Sequence, residues 1–509
     1  MRVLARAALL LALLTGIVTA AAPPIDPQAL MKHIRYLAAD DLQGRGNGSA
    51  GLERAADYIA TQFKEAGLQP AGGNGTWFQP FELTAGLRIG EGNGLVIRAG
   101  GRTVRLSLGE SYYPLAVTAA DGGSEYSMDL MDVPLVFAGY GLSAPSVSYD
   151  DYERLDVAGK AVLIFSHEPQ ENRGDSRLNG SRPLRETTLY SKALAARNHG
   201  AVALIVVSDP THRVDEANYE LFAIEADAED HQIPVLRVRR DEMAPLLKEW
   251  NLDRAAAAID ADLIPRSRPI REASVDYTQR LALNRRTVRN VVGVLPGADP
   301  SRDEQAIVIG AHYDHVGFGG RFSAAPERTG EIHNGADDNA SGIAALVEIA
   351  RTAAADRSRF PRSLVFVAFA GEERGLLGSL HYTMQPAIPI DDTIAMINLD
   401  MIGRAGGKVE VGGLSGAPSL EADVQGAANV AGLDVRPGGP GAGRSDDASF
   451  ADRRVPALHF FTGFHDDYHR PSDDWERIDA AGTARVATLA LELAARIAAR
   501  QDRPQFSTR

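Results

Sequence analysis

The chain has 509 residues, a formal net charge of −14 and no cysteine. That length exceeds what one hydrophobic core serves and implies two or three domains. The acidic balance excludes a binder that neutralises nucleic-acid phosphates, and the absent cysteines exclude disulfides, thiolate zinc ligands and a lipid-modified leader.

The opening MRVLARAALLLALLTGIVTAAAPP carries Arg2 and Arg6 ahead of an apolar run, with small residues around Val18 and Ala20. Residues 1–20 therefore read as a secretory signal cut near Ala20 or Ala22, and the mature protein is expected to be periplasmic or secreted. No later stretch is long and apolar enough to cross a membrane. No internal repeat is present, and nothing sets an oligomeric state.

Residues 21–130 read as the first part of a domain that an insert then interrupts. Leu52, Ala55, Ala56, Ile59, Phe63 and Ala66 recur at helical spacing, and Gly67 with Pro70 stops that helix. From about 85 to 130 the short alternating runs GLVIRAG and RTVRLSL read as β structure. Residues 131–262 form a β-rich insert: VPLVFAGYG, then DVAGKAVLIF, a helical KALAARNHG, and the strands AVALIVVSD and QIPVLRV. Residues 263–509 return to the interrupted domain, with VRNVVGVLPG expected as an edge strand.

Three continuous apolar runs follow, and each delivers a candidate metal ligand. AIVIGA (306–311) ends at His312, SLVFVAFA (363–370) ends before Glu372 and Glu373, and TIAMINL (393–399) ends at Asp400. Unbroken Ile/Val/Leu/Phe runs are the mark of strands covered on both faces of a mostly parallel sheet, and carboxyl ends of such strands line the crevice where open α/β sheets bind ligands. Asp337 in NGADDNASG and His469 in DYHRPSDD complete a set of imidazole and carboxylate ligands. Those are zinc donors, and two ions roughly 3.5–4 Å apart require a shared carboxylate between them. Asp314 lies two residues after His312, so in an extended segment it shares that side and is expected to take the second imidazole N–H.

In order, the H-x-D, G-A-D-D-N-A-S-G, G-E-E-x-G, N-x-D-M-I-G and Y-H-x-P-x-D motifs resemble the co-catalytic zinc aminopeptidases of metallopeptidase family 28, relatives of leucyl aminopeptidases and glutamate carboxypeptidases. The resemblance implies an α/β fold, a mixed, mostly parallel sheet sandwiched by helices. It makes the 131–262 insert similar to a protease-associated (PA) domain. It implies two Zn²⁺ per chain, other divalent metals being possible for such N/O donors. Asp337 would bridge the metals, His312 and Asp400 would complete one ion, and Glu373 and His469 the other. Glu372 would be the general base acting on a metal-bridged hydroxide, with Asp314 in the catalytic set beside it. Asp473, the last motif position, would support His469, and Asp338 would shape the backbone beside the bridge. His315, His333, His459 and His465 match no ligand position and are expected to pack or hydrogen-bond.

The implied activity is removal of the N-terminal residue from peptide substrates. A carboxypeptidase or dipeptidase of the same fold is the nearest alternative, with Arg404 or Arg444 to hold a substrate carboxylate. A glutaminyl cyclase and a non-catalytic zinc-binding module are further ones. Met401, Phe460 and Phe461 either line a pocket for Leu-like or aromatic first residues or belong to the core.

Overall fold

The computed structural model describes residues 25–507 apart from 117–124, 172, 179–184, 211–232, 320–321, 326–327, 329 and 439–444. The leader with its cleavage point, and Arg444, lie outside the described residues. Among those described, no helix is long and apolar enough to cross a membrane.

The described chain begins with helices α1 (Pro27–Leu37) and α2 (Ala50–Glu65). Ser49 caps α2 by accepting from Leu52 N, which satisfies one of the free N–H groups of the first turn. Gly67, at φ +86°, closes the helix as its position in the sequence suggests. After the insert come strands that carry the site, and for reference the strands used below run in chain order as β1 (Phe78–Ile89), β2 (Gly94–Ala99), β3 (Glu125–Phe137), β4 (Ala161–Phe165), β5 (Ala203–Val207), β6 (Val235–Val238), β7 (Arg268–Leu295), β8 (Ala306–His312), β9 (Ser363–Phe369), β10 (Thr393–Leu399), β11 (Lys408–Gly412), β12 (Asp434–Pro437) and β13 (Ala457–Phe461).

β8 lies between β9 and β10, parallel to both, and β13 pairs parallel to β10. Every residue of β8, β9 and β10 is buried, as their unbroken apolar runs require. Alternate side chains feed two cores: Ile307, Ile309 and Ala311 join Leu364, Phe366 and Ala368 under the helical layer, while Val308, Val365 and Val367 face Tyr382 and Phe450. The layer includes α1, α2, α3 (Gly342–Ala355) and the C-terminal α4 (Ala480–Ala499). Site-bearing strands are thus clamped on both faces, and their carboxyl ends open toward one crevice.

The 28-residue β7 connects the two halves of the molecule. Its last residues, Val291–Leu295, pair antiparallel with β9, and its middle pairs with β1, β2 and β3. VRNVVGVLPG is therefore not an edge strand, because Val291 is paired to Ala368 on one side and Phe78 on the other. Parallel strands β4, β5 and β6 form the centre of the insert. The core of that second half takes Leu95, Ile97 and Leu106 from before residue 131, and Ile270 to Tyr277 from after residue 262. Packing in the insert thus extends beyond the 131–262 segment that the sequence marks.

Candidate metal centre

Three strand ends and two loops bring the site together. His312 terminates β8, and Asp400 follows β10. Beyond β9, Gly371 adopts φ +74°, open to a residue without Cβ, and turns the chain into the short Glu372–Arg374 helix. Asp338 comes from the Gly335–Ser341 segment before α3, and His469 from the loop after β13.

Asp338 sits at the centre. Its Oδ1 is 3.2 Å from His312 Nε2 and its Oδ2 is 3.2 Å from His469 Nε2. Asp400 Oδ1 lies 3.4 Å from His312 Nε2, and Glu373 Oε2 lies 3.1 Å from His469 Nε2. Two donor groups result, His312 with Asp400 and His469 with Glu373, and each faces one oxygen of Asp338. His315 adds a buried ring whose Nδ1 is 2.8 Å from Glu373 Oε1.

Both imidazoles are oriented from behind. His312 Nδ1 donates to the carbonyl of Asp314 (3.1 Å) and His469 Nδ1 to the carbonyl of Phe322 (2.6 Å). A carbonyl only accepts, so in each neutral ring the lone pair is on Nε2, toward the centre. Three N/O donors per group with one carboxylate shared is a donor set that divalent zinc accepts. The three carboxylates offset most of the charge of two such ions, and neutral imidazoles add none. The residues present therefore fit the implied metals.

Asp337 is displaced from the role that the motif suggests. Its Oδ1 accepts from Gly403 N (2.6 Å) and Ser341 Oγ (3.1 Å), and its Oδ2 lies 3.0 Å from His465 Nε2. Its oxygens are held by the loop after β10, by Ser341 and by the loop after β13, and it is the neighbouring Asp338 that faces both donor groups. Adjacent residues in a non-helical backbone point opposite ways, so the DD pair offers one carboxylate to each side.

Asp314 and Asp473 also differ from expectation. The Asp314 carboxylate accepts from Glu372 N (3.1 Å), Glu373 N (3.3 Å) and Asn47 Nδ2 (2.6 Å), and its own Oδ1 is 3.9 Å from His312 Nδ1. It clamps the turn that carries Glu372 and Glu373, and its main chain, not its side chain, orients His312. Asp473 Oδ2 accepts from Asp337 N (3.0 Å) and Asp338 N (3.1 Å), while Arg404 donates to its Oδ1 (3.2 Å). It fixes the backbone of Asp338 rather than the ring of His469. Burial pushes Asp473 up to about 6, Asp337 adding to the rise.

The centre opens into a cavity whose lining joins His312, Asp338, Glu372, Glu373, Asp400 and His469 with Met401, Glu410, His459, Phe461, Phe464 and Tyr468. Burial first, then the charges of Asp400 and Glu373, pushes Glu372 well above the usual carboxylate range, with His312 opposing. Met401 and Phe461 line this space, whereas Phe460 points into the core: β13 alternates, so Phe460 and its neighbours face opposite sides of the sheet. Glu410 and Phe464 carry no signal in the sequence, and Tyr468 enters it only as the first letter of Y-H-x-P-x-D. Tyr468 is adjacent to a motif ligand, and Glu410 lies on the opposite side of its strand from the buried Val409 and Val411, a pattern that signals only a non-core face.

Residues 290–494 match the profile of Peptidase family M28, and residues 131–246 match that of the PA domain. Aminopeptidase YwaD of Bacillus subtilis is 24% identical over 375 residues, 72% of this chain and 66% of that protein. A probable zinc metalloprotease of Pyrenophora teres f. teres is 38% identical over 119 residues, 23% of each chain. The chain thus spans about a quarter of the length of the first curated relatives that it matches. Among solved structures, an aminopeptidase from Aneurinibacillus sp. strain AM-1 aligns over 95% of both chains at a TM-score of 0.55 and 21% identity. The zinc aminopeptidase BSAP from Bacillus subtilis aligns over 92% of this chain and 94% of its own at 0.53 and 20%. These likenesses fix the fold.

Proposed function

The chain belongs to peptidase family M28 and carries a PA domain, and from that premise we propose that it is an exported dinuclear zinc aminopeptidase. One observation carries the direction of substrate binding. Among the described residues, the cavity wall holds no Lys or Arg, and its carboxylates Asp338, Glu373 and Asp400 are the ones whose charge the proposed ions would offset. Such a wall offers no side-chain cation to hold a substrate carboxylate, which a carboxypeptidase needs and an aminopeptidase does not. Arg404, the described cation that a carboxypeptidase would need, is held by Asp473 (3.2 Å) and Asp467 (3.4 Å).

His312, Asp338 and Asp400 would hold one ion, and Asp338, Glu373 and His469 the other. Ions bound there supply a Lewis acid for the scissile carbonyl and an acidified water. Glu372 contributes a half-buried carboxylate at the cavity wall with a raised proton affinity, suited to take the proton of the attacking water and return it to the leaving amine. Asp314 holds Glu372 in place through its backbone N–H. Asp473 does the same for Asp338, so both key carboxylates are positioned by a second buried carboxylate. Export rests on the leader, and N-terminal sequencing of mature protein beginning after Ala20 or Ala22 checks it.

Mass analysis of products from one peptide in free, N-acetylated and C-amidated forms tests the activity. The free and amidated forms are expected to lose residues one at a time from the amino end, and the acetylated form to persist. Shortening from the carboxyl end, blocked by amidation, would reverse the assignment.

A further inference from the structure

The cavity has a second acidic pole that the metal centre does not use. Glu410 stands on β11 directly opposite Phe461 of β13, two residues from Gly412, which faces His459. Directly paired residues share a face at roughly 5 Å between Cβ atoms, so Glu410, Phe461 and His459 form one patch on the cavity side of the sheet. Among the described residues, Glu410 has no cationic or hydrogen-bonding partner. Arg436, its in-register neighbour on β12, turns instead to Asp434, with Nε 3.7 Å from Oδ2. His459 is turned to Asp447, with Nδ1 3.5 Å from Oδ1.

An aromatic row joins this pole to the metal centre. Phe461 meets Phe464 edge-on at 5.1 Å between centroids, Phe464 meets Tyr468 at 4.9 Å, and Tyr468 stacks on His469 at 3.9 Å. Phe464 is 59% exposed, an apolar ring at the cavity that a bound side chain would cover. The wall thus offers apolar and π surface along its length and, at Glu410, a carboxylate that no cation among the described residues pairs. A long aliphatic stem with a terminal cation matches both parts, because Lys and Arg pack their methylenes on apolar surface while the head seeks charge or an aromatic face.

Resting on the aminopeptidase reading, we propose that Glu410 is a specificity-determining residue that selects substrates whose first residue is Lys or Arg, with the stem laid along Phe461, Phe464 and Tyr468. This replaces the Leu-like or aromatic preference expected from Met401, Phe460 and Phe461 as pocket residues.

Lysine and norleucine differ in the charged head and little in the stem, so the pair isolates Glu410. The test measures kcat/KM of the zinc-loaded protein on lysyl-, arginyl-, norleucyl- and leucyl-anilides, and calorimetric binding of lysinol and norleucinol, which have no scissile bond. Wild type should favour the lysyl over the norleucyl substrate by about tenfold or more, as expected for a charge-assisted contact in a partly desolvated site. Glu410→Gln should remove that margin and leave norleucyl and leucyl rates within about threefold. Glu410→Leu should favour norleucine. Unchanged ratios in Glu410→Gln would overturn the proposal, and so would an equal loss on all four substrates, which would place Glu410 at the terminal amine. Tighter lysinol binding that is lost in Glu410→Gln, without anilide turnover, would sustain the proposal and refute the aminopeptidase reading. Turnover without lysine preference would do the opposite.

Discussion

Asp314→Ala removes neither a proposed ligand nor a group of the cavity wall, yet it should impair turnover strongly. Asp314 is fully buried, and its carboxylate accepts from Glu372 N at 3.1 Å, Glu373 N at 3.3 Å and Asn47 Nδ2 at 2.6 Å. Truncation strands two backbone N–H groups, at about 1–3 kcal/mol each. Relief of a buried carboxylate, whose proton affinity burial already raises, offsets part of this, so a net loss of about 2–4 kcal/mol in stability follows. The larger effect is on chemistry: a shift of about 1 Å in Glu372 costs roughly a hundredfold. The loss should fall on kcat, because the aromatic row and Glu410 are untouched and KM should change little. Asp314→Asn keeps one acceptor oxygen and should lie between. Steady-state kinetics, zinc content and thermal melting on the same preparation decide the matter. A folded Asp314→Ala protein with both ions and kcat within threefold of wild type would refute the clamp. If excess zinc restored kcat, the clamp would serve Glu373 alone.

Glu372→Gln should retain both ions and lose about 10² to 10⁴ in kcat, the range for a lost general base, and near-normal turnover at full zinc occupancy would remove Glu372 from that role. Asp338→Ala should release zinc from both sites on dialysis against a weak chelator, whereas Asp337→Asn should keep two ions and lower the melting temperature, because an amide would face Gly403 N–H or His465; the reverse outcome in metal analysis would return the bridge to Asp337. In the insert, Asp151 is buried and held by Tyr140 N, Leu142 N and Tyr149 Oη, and burial pushes it up to about 7. The folded state therefore binds this proton more tightly than the unfolded state, and the contribution of Asp151 to stability, full below pH 4, declines as pH rises toward 7. Asp151→Asn keeps an acceptor for the backbone pair and turns its amide N–H to the Tyr149 oxygen, which now accepts where it had donated, so its melting temperature relative to wild type should rise between pH 4 and 7. A difference independent of pH would show that Asp151 does not titrate in that range.

The strand ends at His312, Glu373 and Asp400 were legible because continuous apolar runs leave one fold class open and end where the polar motifs begin. The choice between Asp337 and Asp338 was not. Two adjacent carboxylates in GADDNASG are chemically equal in the sequence, and only the hydrogen bonds of Gly403, Ser341 and His465 to one of them turn the other inward. Asp314 was read correctly as near His312, but spacing along a strand says nothing of the Glu372–Arg374 turn, 58 residues away, that it clamps. Phe460 and Phe461 are equally apolar and were grouped together; alternation on β13 separates them into core and cavity. Glu410 gave no signal, since a lone Glu between valines reads as a solvated face until β13 brings Phe461 beside it.

Zinc-edge anomalous diffraction from crystals of the zinc-loaded protein tests the dinuclear centre most directly. Two peaks roughly 3.5–4 Å apart are expected, one on each oxygen of Asp338, the first contacted by His312 and Asp400 and the second by Glu373 and His469. A single peak, or two peaks that share Asp337 instead, would contradict it.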